Sequence, residues 1–131
     1  MIIKLIAAFV DGQTGKPLTG EGLTVRFCDR DMVKDDVLGE SLLSGGEASI
    51  ITTELAFKGL LGIGERTPDL YCEVRDHGKA VYRTPVAWNS KVVENRPGGE
   101  KVLTHHLGTF RVTRGDGLAD AAPAAPTKPG F

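Results

Sequence analysis

Apolar residues recur at every second position in a series of short segments along this chain, and Gly, Pro, Asp and Ser collect between those segments. A period of two is the spacing of a half-buried β-strand. Short strands separated by turn residues build sandwiches or barrels; parallel α/β units would need intervening stretches of helical period. The expected strands cover about 2–10, 22–28, 37–43, 47–53, 69–75, 80–84 and 101–112.

The punctuation is chemically specific. Asp11-Gly12-Gln13-Thr14-Gly15-Lys16-Pro17 is a tight loop, with glycines free to take positive φ and a proline setting the exit. Ser44-Gly45-Gly46-Glu47 and Asp76-His77-Gly78-Lys79 read as hairpin turns. Pro85 ends the sixth strand or confines it to an edge, and Gly108 marks a bulge in the last. Residues 54–68 break the rhythm. Glu54 to Lys58 fits one helical turn, the only helix expected, and Gly59, Gly62 and Gly64 follow it. A polar loop runs from Trp88 to Glu100. From 113 to 131 the chain is rich in Ala, Pro and Gly and reads as a flexible tail behind a sandwich of residues 1–112.

At 131 residues the chain is one domain with room for a single core. A net charge of −1 argues against a general nucleic-acid binder, which carries a basic stripe. No apolar run reaches the roughly 18 residues of a membrane span. The opening Met1 to Val10 carries Lys4 inside its apolar run and stops at Asp11-Gly12, so it reads as a strand and not as a secretory leader. The expected location is therefore the cytoplasm, or the outside by a route other than Sec. Of the two cysteines, Cys28 alternates away from Val25 and Phe27, whereas Cys72 falls on a core face, so no disulfide is expected.

The most acidic stretch follows strand two: Asp29, Asp31, Asp35 and Asp36 lie within one turn. Calcium takes six to eight oxygen ligands, which makes these four carboxylates the candidate metal site. Arg30 and Lys34 lie within the same turn and can neutralise them. Lys34 also occupies the position where an EF-hand needs glycine. The aspartates are therefore expected to bond turn amides, with calcium binding as the alternative. His105 and His106 are adjacent on a strand and face opposite sides, so they do not share a metal; His105, between Leu103 and Leu107, is the more buried. Tyr71, Tyr82, His105 and His106 are the only stock for an iron site of two tyrosines and two histidines. Ser41, Ser44, Ser49 and Ser90 lack nucleophile-elbow framing, and no Lys-Ser or Lys-Thr follows the glycines of 59–64. Arg114-Gly115-Asp116 is a three-residue match to an integrin-binding motif, which chance explains. Leu60, Leu61 and Ile63 form an apolar stretch outside any alternating strand and need a cover. With Trp88, which otherwise closes one end of the core, they are the candidate interface residues.

Several of these segments together resemble a family. Val10-Asp11 with Thr14-Gly15-Lys16-Pro17-Leu18 is similar to the opening of transthyretin-like and carboxypeptidase-regulatory-like domains. Val25 to Glu40, with its acidic turn before Leu38-Gly39-Glu40, and Pro68 to Val74 resemble later strands of transthyretin-like proteins. The resemblance implies an all-β, immunoglobulin-like sandwich of two sheets and seven or eight strands. It also implies a binding or accessory role, in some cases beside bacterial toxins or injection machines. One enzyme branch of the family hydrolyses hydroxyisourate and ends in Tyr-Arg-Gly-Ser; here the last strand reads Leu107-Gly108-Thr109-Phe110-Arg111-Val112. The expectation is a non-enzymatic module that binds a protein partner or itself through a sheet edge and the 59–63 loop. A calcium-dependent binder, or a small hydrolase or metal oxygenase, are the alternatives. No cofactor is expected.

Overall fold

The computed structural model describes residues 2–31, 34–53, 68–88, 90 and 102–113. Among them are seven strands and no helix: β1 (Ile2–Asp11), β2 (Leu23–Asp29), β3 (Asp36–Leu42), β4 (Glu47–Thr53), β5 (Leu70–Asp76), β6 (Lys79–Arg83) and β7 (Val102–Val112). They form a β-sandwich. One sheet has the order β4-β1-β7 and the other β3-β2-β5-β6. All pairs are antiparallel except β1 with β7. The helical turn expected at 54–58, the 59–63 loop and the tail beyond Thr113 lie outside the described residues.

Alternation decides what each strand buries. Ile3, Leu5, Ala7 and Phe9 of β1, with Ala48 and Ile50 of β4, face Leu23, Val25 and Phe27 of β2 and Leu70, Cys72 and Val74 of β5. Leu18, Leu43 and Val112 close this core. Phe9 and Phe110 meet at 5.7 Å between ring centroids. Fully burying each such side chain contributes about 1.5–3 kcal/mol, which offsets much of the cost of ordering the chain.

Turns set the register. Gly45 and Gly46 both take positive φ, 58° and 79°, in the tight turn closed by reciprocal hydrogen bonds between Ser44 and Glu47. A Cβ at Gly46 would lie 2.8 Å from both the Phe9 carbonyl oxygen and the Pro17 ring, so only glycine fits there. His77 and Gly78 make the equivalent turn between β5 and β6. The expected bulge is found: His106 pairs with Ile6 but Thr109 with Ala8, and Gly108 takes φ 136° between them. A second irregularity, at Leu38, lies between the pairs Phe27–Gly39 and Cys28–Val37.

Candidate functional site

The outer face of the four-stranded sheet holds the densest polar chemistry. It is built by register. Arg26 on β2 lies opposite Glu40 on β3 and opposite Glu73 on β5, and Glu73 lies opposite Arg83 on β6. The result is a row of alternating charge across all four strands: Glu40, Arg26, Glu73, Arg83. Opposite charges placed directly across a ladder stabilise it. Glu40 accepts from Thr24 Oγ1 at 2.8 Å and from Arg26 Nε at 3.0 Å. The Thr24 hydrogen bond and then the Arg26 guanidinium hold the Glu40 carboxyl below the usual range, against a smaller opposing effect of burial. Glu73 is the shielded member. Its carboxylate accepts from Arg75 Nη1 at 2.5 Å and from Arg83 Nη2 at 3.1 Å. Arg75 also donates to the Gly78 carbonyl in the hairpin turn.

Beyond this row lies a small apolar cluster, separate from the main core. Cys28, Tyr71 and Val86 are buried there, and Trp88 packs on them half-exposed. The segment after β6 makes this cluster by folding back, with Ala87 and Leu70 exchanging backbone hydrogen bonds and Ser90 donating to the Pro68 carbonyl. Trp88 therefore covers an outer patch and not the end of the main core. Arg83 lies 5.6 Å from the Tyr71 ring centroid, a cation–π placement. Tyr71 donates from Oη to Asp35 Oδ2 at 2.5 Å. Burial, then that hydrogen bond to a carboxylate, raises the Tyr71 phenol far above its ordinary value. Burial pushes the Cys28 thiol up to about 11, despite a hydrogen bond with Tyr71 that lowers it. Cys72 is also raised by burial, in the main core. Both thiols are free.

The four aspartates of the acidic turn separate. Asp35 reaches back to the sheet through Tyr71, accepts from the Asp31 amide at 3.2 Å, and lies 4.0 Å from Arg30 Nε. Asp29 is buried, at 5% exposure, and accepts from the Asp69 amide at 3.2 Å. Asp31 and Asp36 are exposed. The Asp35 carboxylate thus accepts from an amide of the turn and the Asp29 carboxylate from Asp69 beyond it, and no group of three metal-ligating side chains comes together among the described residues. Asp69, itself buried, is the acidic neighbour that alternation did not reveal; the only sequence signal is its place beside Pro68 at the start of β5.

The remaining candidates fall on different faces. His105 pairs with Leu5 and is half-buried, whereas His106 pairs with Ile6 and is exposed. Tyr71 sits on the outer face of its sheet, whereas Tyr82 pairs with Val74 and packs against the main core. The two tyrosines are on neighbouring strands but cannot converge on one ion. Ser90 donates from Oγ to the Ala87 carbonyl at 2.8 Å. Leu60, Leu61 and Ile63 lie outside the described residues.

Among the described residues, fold and surface together define a β-sandwich of seven strands in two sheets. No protein-family model matches the chain, and no curated protein matches it. Among solved structures it is similar to part of a 9R-lipoxygenase from Cyanothece PCC8801, with a TM-score of 0.55 and 20% identity. The match covers 99% of this chain and 19% of the lipoxygenase chain. At that identity the likeness shows the sandwich fold alone.

Proposed function

We propose that this chain is a non-enzymatic protein-binding or accessory module, the role implied by its resemblance to transthyretin-like and carboxypeptidase-regulatory-like domains. The observation that carries the proposal is the exposure of large apolar side chains on edge strands: Val37 at 56% and Leu42 at 72% on β3, and Ile51 at 71% on β4. Exposed backbone groups beside apolar side chains are what β-strand addition uses. The two sheets of three and four strands agree with the sandwich that the resemblance implies. The lipoxygenase match, one-fifth of a much longer chain, is a sandwich of this shape carried as part of a larger protein. A toxin or an injection apparatus is the setting the family resemblance suggests.

Light scattering with metal analysis of the purified protein tests the proposal. The expected result is association beyond the monomer, weakened by a charge at one of the exposed edge residues Val37, Leu42 or Ile51, and no stoichiometric metal. A strictly monomeric protein that carries a bound metal and turns over substrate would overturn it.

A further inference from the structure

Among the described residues the sandwich has four edge strands, β3, β4, β6 and β7, and they are not alike. Natural edges are guarded by charge, proline, shortness or a bulge. Edge β6 has five residues, begins with Lys79, ends with Arg83 and runs into Pro85. Edge β3 carries Asp36 and Glu40 and is irregular at Leu38. Edge β7 is broken by the Gly108 bulge and bears Arg111. Edge β4 has none of these guards after Glu47: Ala48-Ser49-Ile50-Ile51-Thr52-Thr53 is uncharged, proline-free and paired to β1 without interruption.

Its hydrogen-bonding direction is settled at the turn. Phe9 donates to the Gly46 carbonyl directly opposite, while the amide and carbonyl of Glu47 are both spent on Ser44. Antiparallel ladders alternate, so Ala48, Ile50 and Thr52 turn their backbone groups to β1. Ser49, Ile51 and Thr53 turn theirs outward, and the Ile51 side chain beside them is 71% exposed.

We infer that β4 pairs with β4 of a second copy of this chain, antiparallel about a two-fold axis through Ile51, joining two three-stranded sheets into one. This rests on the binding reading above and names its partner and register. Pairing about Ile51 sets Ile51 against its symmetry mate and Ser49 against Thr53, an apolar pair flanked by two hydroxyl pairs. No charge meets a like charge within 48–53. The one surface is its own complement, as a two-fold interface requires. A single paired edge covers less than the ~1,000 Å² of a lasting interface, so the dimer is reversible and forms in the upper micromolar range.

Sedimentation equilibrium of the full chain from ~10 µM to ~1 mM tests this. The expected result is a mass rising toward that of a dimer. Ile51→Lys is expected to weaken association at least about tenfold by placing two like charges at the axis. Ser49→Pro is expected to do the same by removing an outward N–H, with no ladder bond to β1 lost. Both variants should keep the wild-type circular dichroism and unfolding midpoint. Under oxidation Ile51→Cys should cross-link two copies, and Ser49→Cys should not. A wild type monomeric to ~1 mM, or a dimer that survives Ile51→Lys and Ser49→Pro, overturns the inference. If the dimer ignores these two changes but yields to Leu60→Asp with Leu61→Asp, the binding module stands and the β4 assignment falls.

Discussion

Glu73→Gln is the substitution that best exposes how the outer face of the four-stranded sheet is held. The Glu73 side chain is 10% exposed and its carboxylate meets Arg75 and Arg83, whose side chains are 19% and 30% exposed. Arg26 is its cross-strand neighbour on the other side. Removing one partner of a fully buried ion pair costs about 3–5 kcal/mol. These arginines keep some contact with water, which reduces the penalty, and glutamine retains one acceptor oxygen. The expected cost is about 2 kcal/mol. Glu40→Gln is the internal control. It ends the same row but its side chain is 35% exposed, so its pair with Arg26 is worth about 0.5 kcal/mol. Urea unfolding reads both, as shifts of midpoint at unchanged slope. Half-molar salt should erase most of the Glu40 effect and leave most of the Glu73 effect. If the two substitutions cost the same, or salt removes both, then Glu73 is solvated like any surface carboxylate and the row is not a structural device.

Two further outcomes follow from neighbouring residues. Tyr71→Phe keeps the ring under Arg83 but loses the hydrogen bond to Asp35, and is expected to cost about 1–2 kcal/mol. It should also speed amide exchange at Asp31, and calorimetry should show no calcium binding tighter than ~10⁻⁵ M; tight binding abolished by Asp31→Ala would refute the structural role of the turn. Because burial raises both thiols, the folded state favours their protonated forms: that contribution is whole below the unfolded thiol pKa and is lost as pH rises through the folded value, about 11 for Cys28. A thiol reagent at pH 8 should therefore label Cys28 and Cys72 only at the rate of unfolding, and rapid labelling of the native protein would contradict their burial.

Local features were legible in the sequence and non-local ones were not. Strand β4 runs over the expected 47–53, and the other strands differ from expectation by a residue or so at their ends, because alternation and turn chemistry are written in adjacent residues. The Gly108 bulge and the edge position of β6 before Pro85 were readable for the same reason. The opposite directions of Cys28 and Cys72 followed from parity. Parity does not say what covers an outward residue, so the return of Val86 and Trp88 over Cys28 and Tyr71 was hidden. The charge row was hidden too. Arg26 and Glu73 are 47 positions apart, and only the β2–β5 register brings them together. The junction of Asp29 with Asp69 depends on the same pairing. Likewise, no local pattern marks β1 and β7 as parallel neighbours.

Amide hydrogen exchange along β4, followed by NMR in dilute and in concentrated protein, tests most directly whether this sandwich associates through its unguarded edge. In dilute solution Ile50 and Thr52 should be protected by their bonds to β1, while Ser49, Ile51 and Thr53 exchange fast. On concentration, Ser49, Ile51 and Thr53 should gain protection together, and Ile51→Lys should abolish the gain. Outward amides that exchange at the same rate at every concentration, while the protein still associates, would place the interface elsewhere and contradict the account.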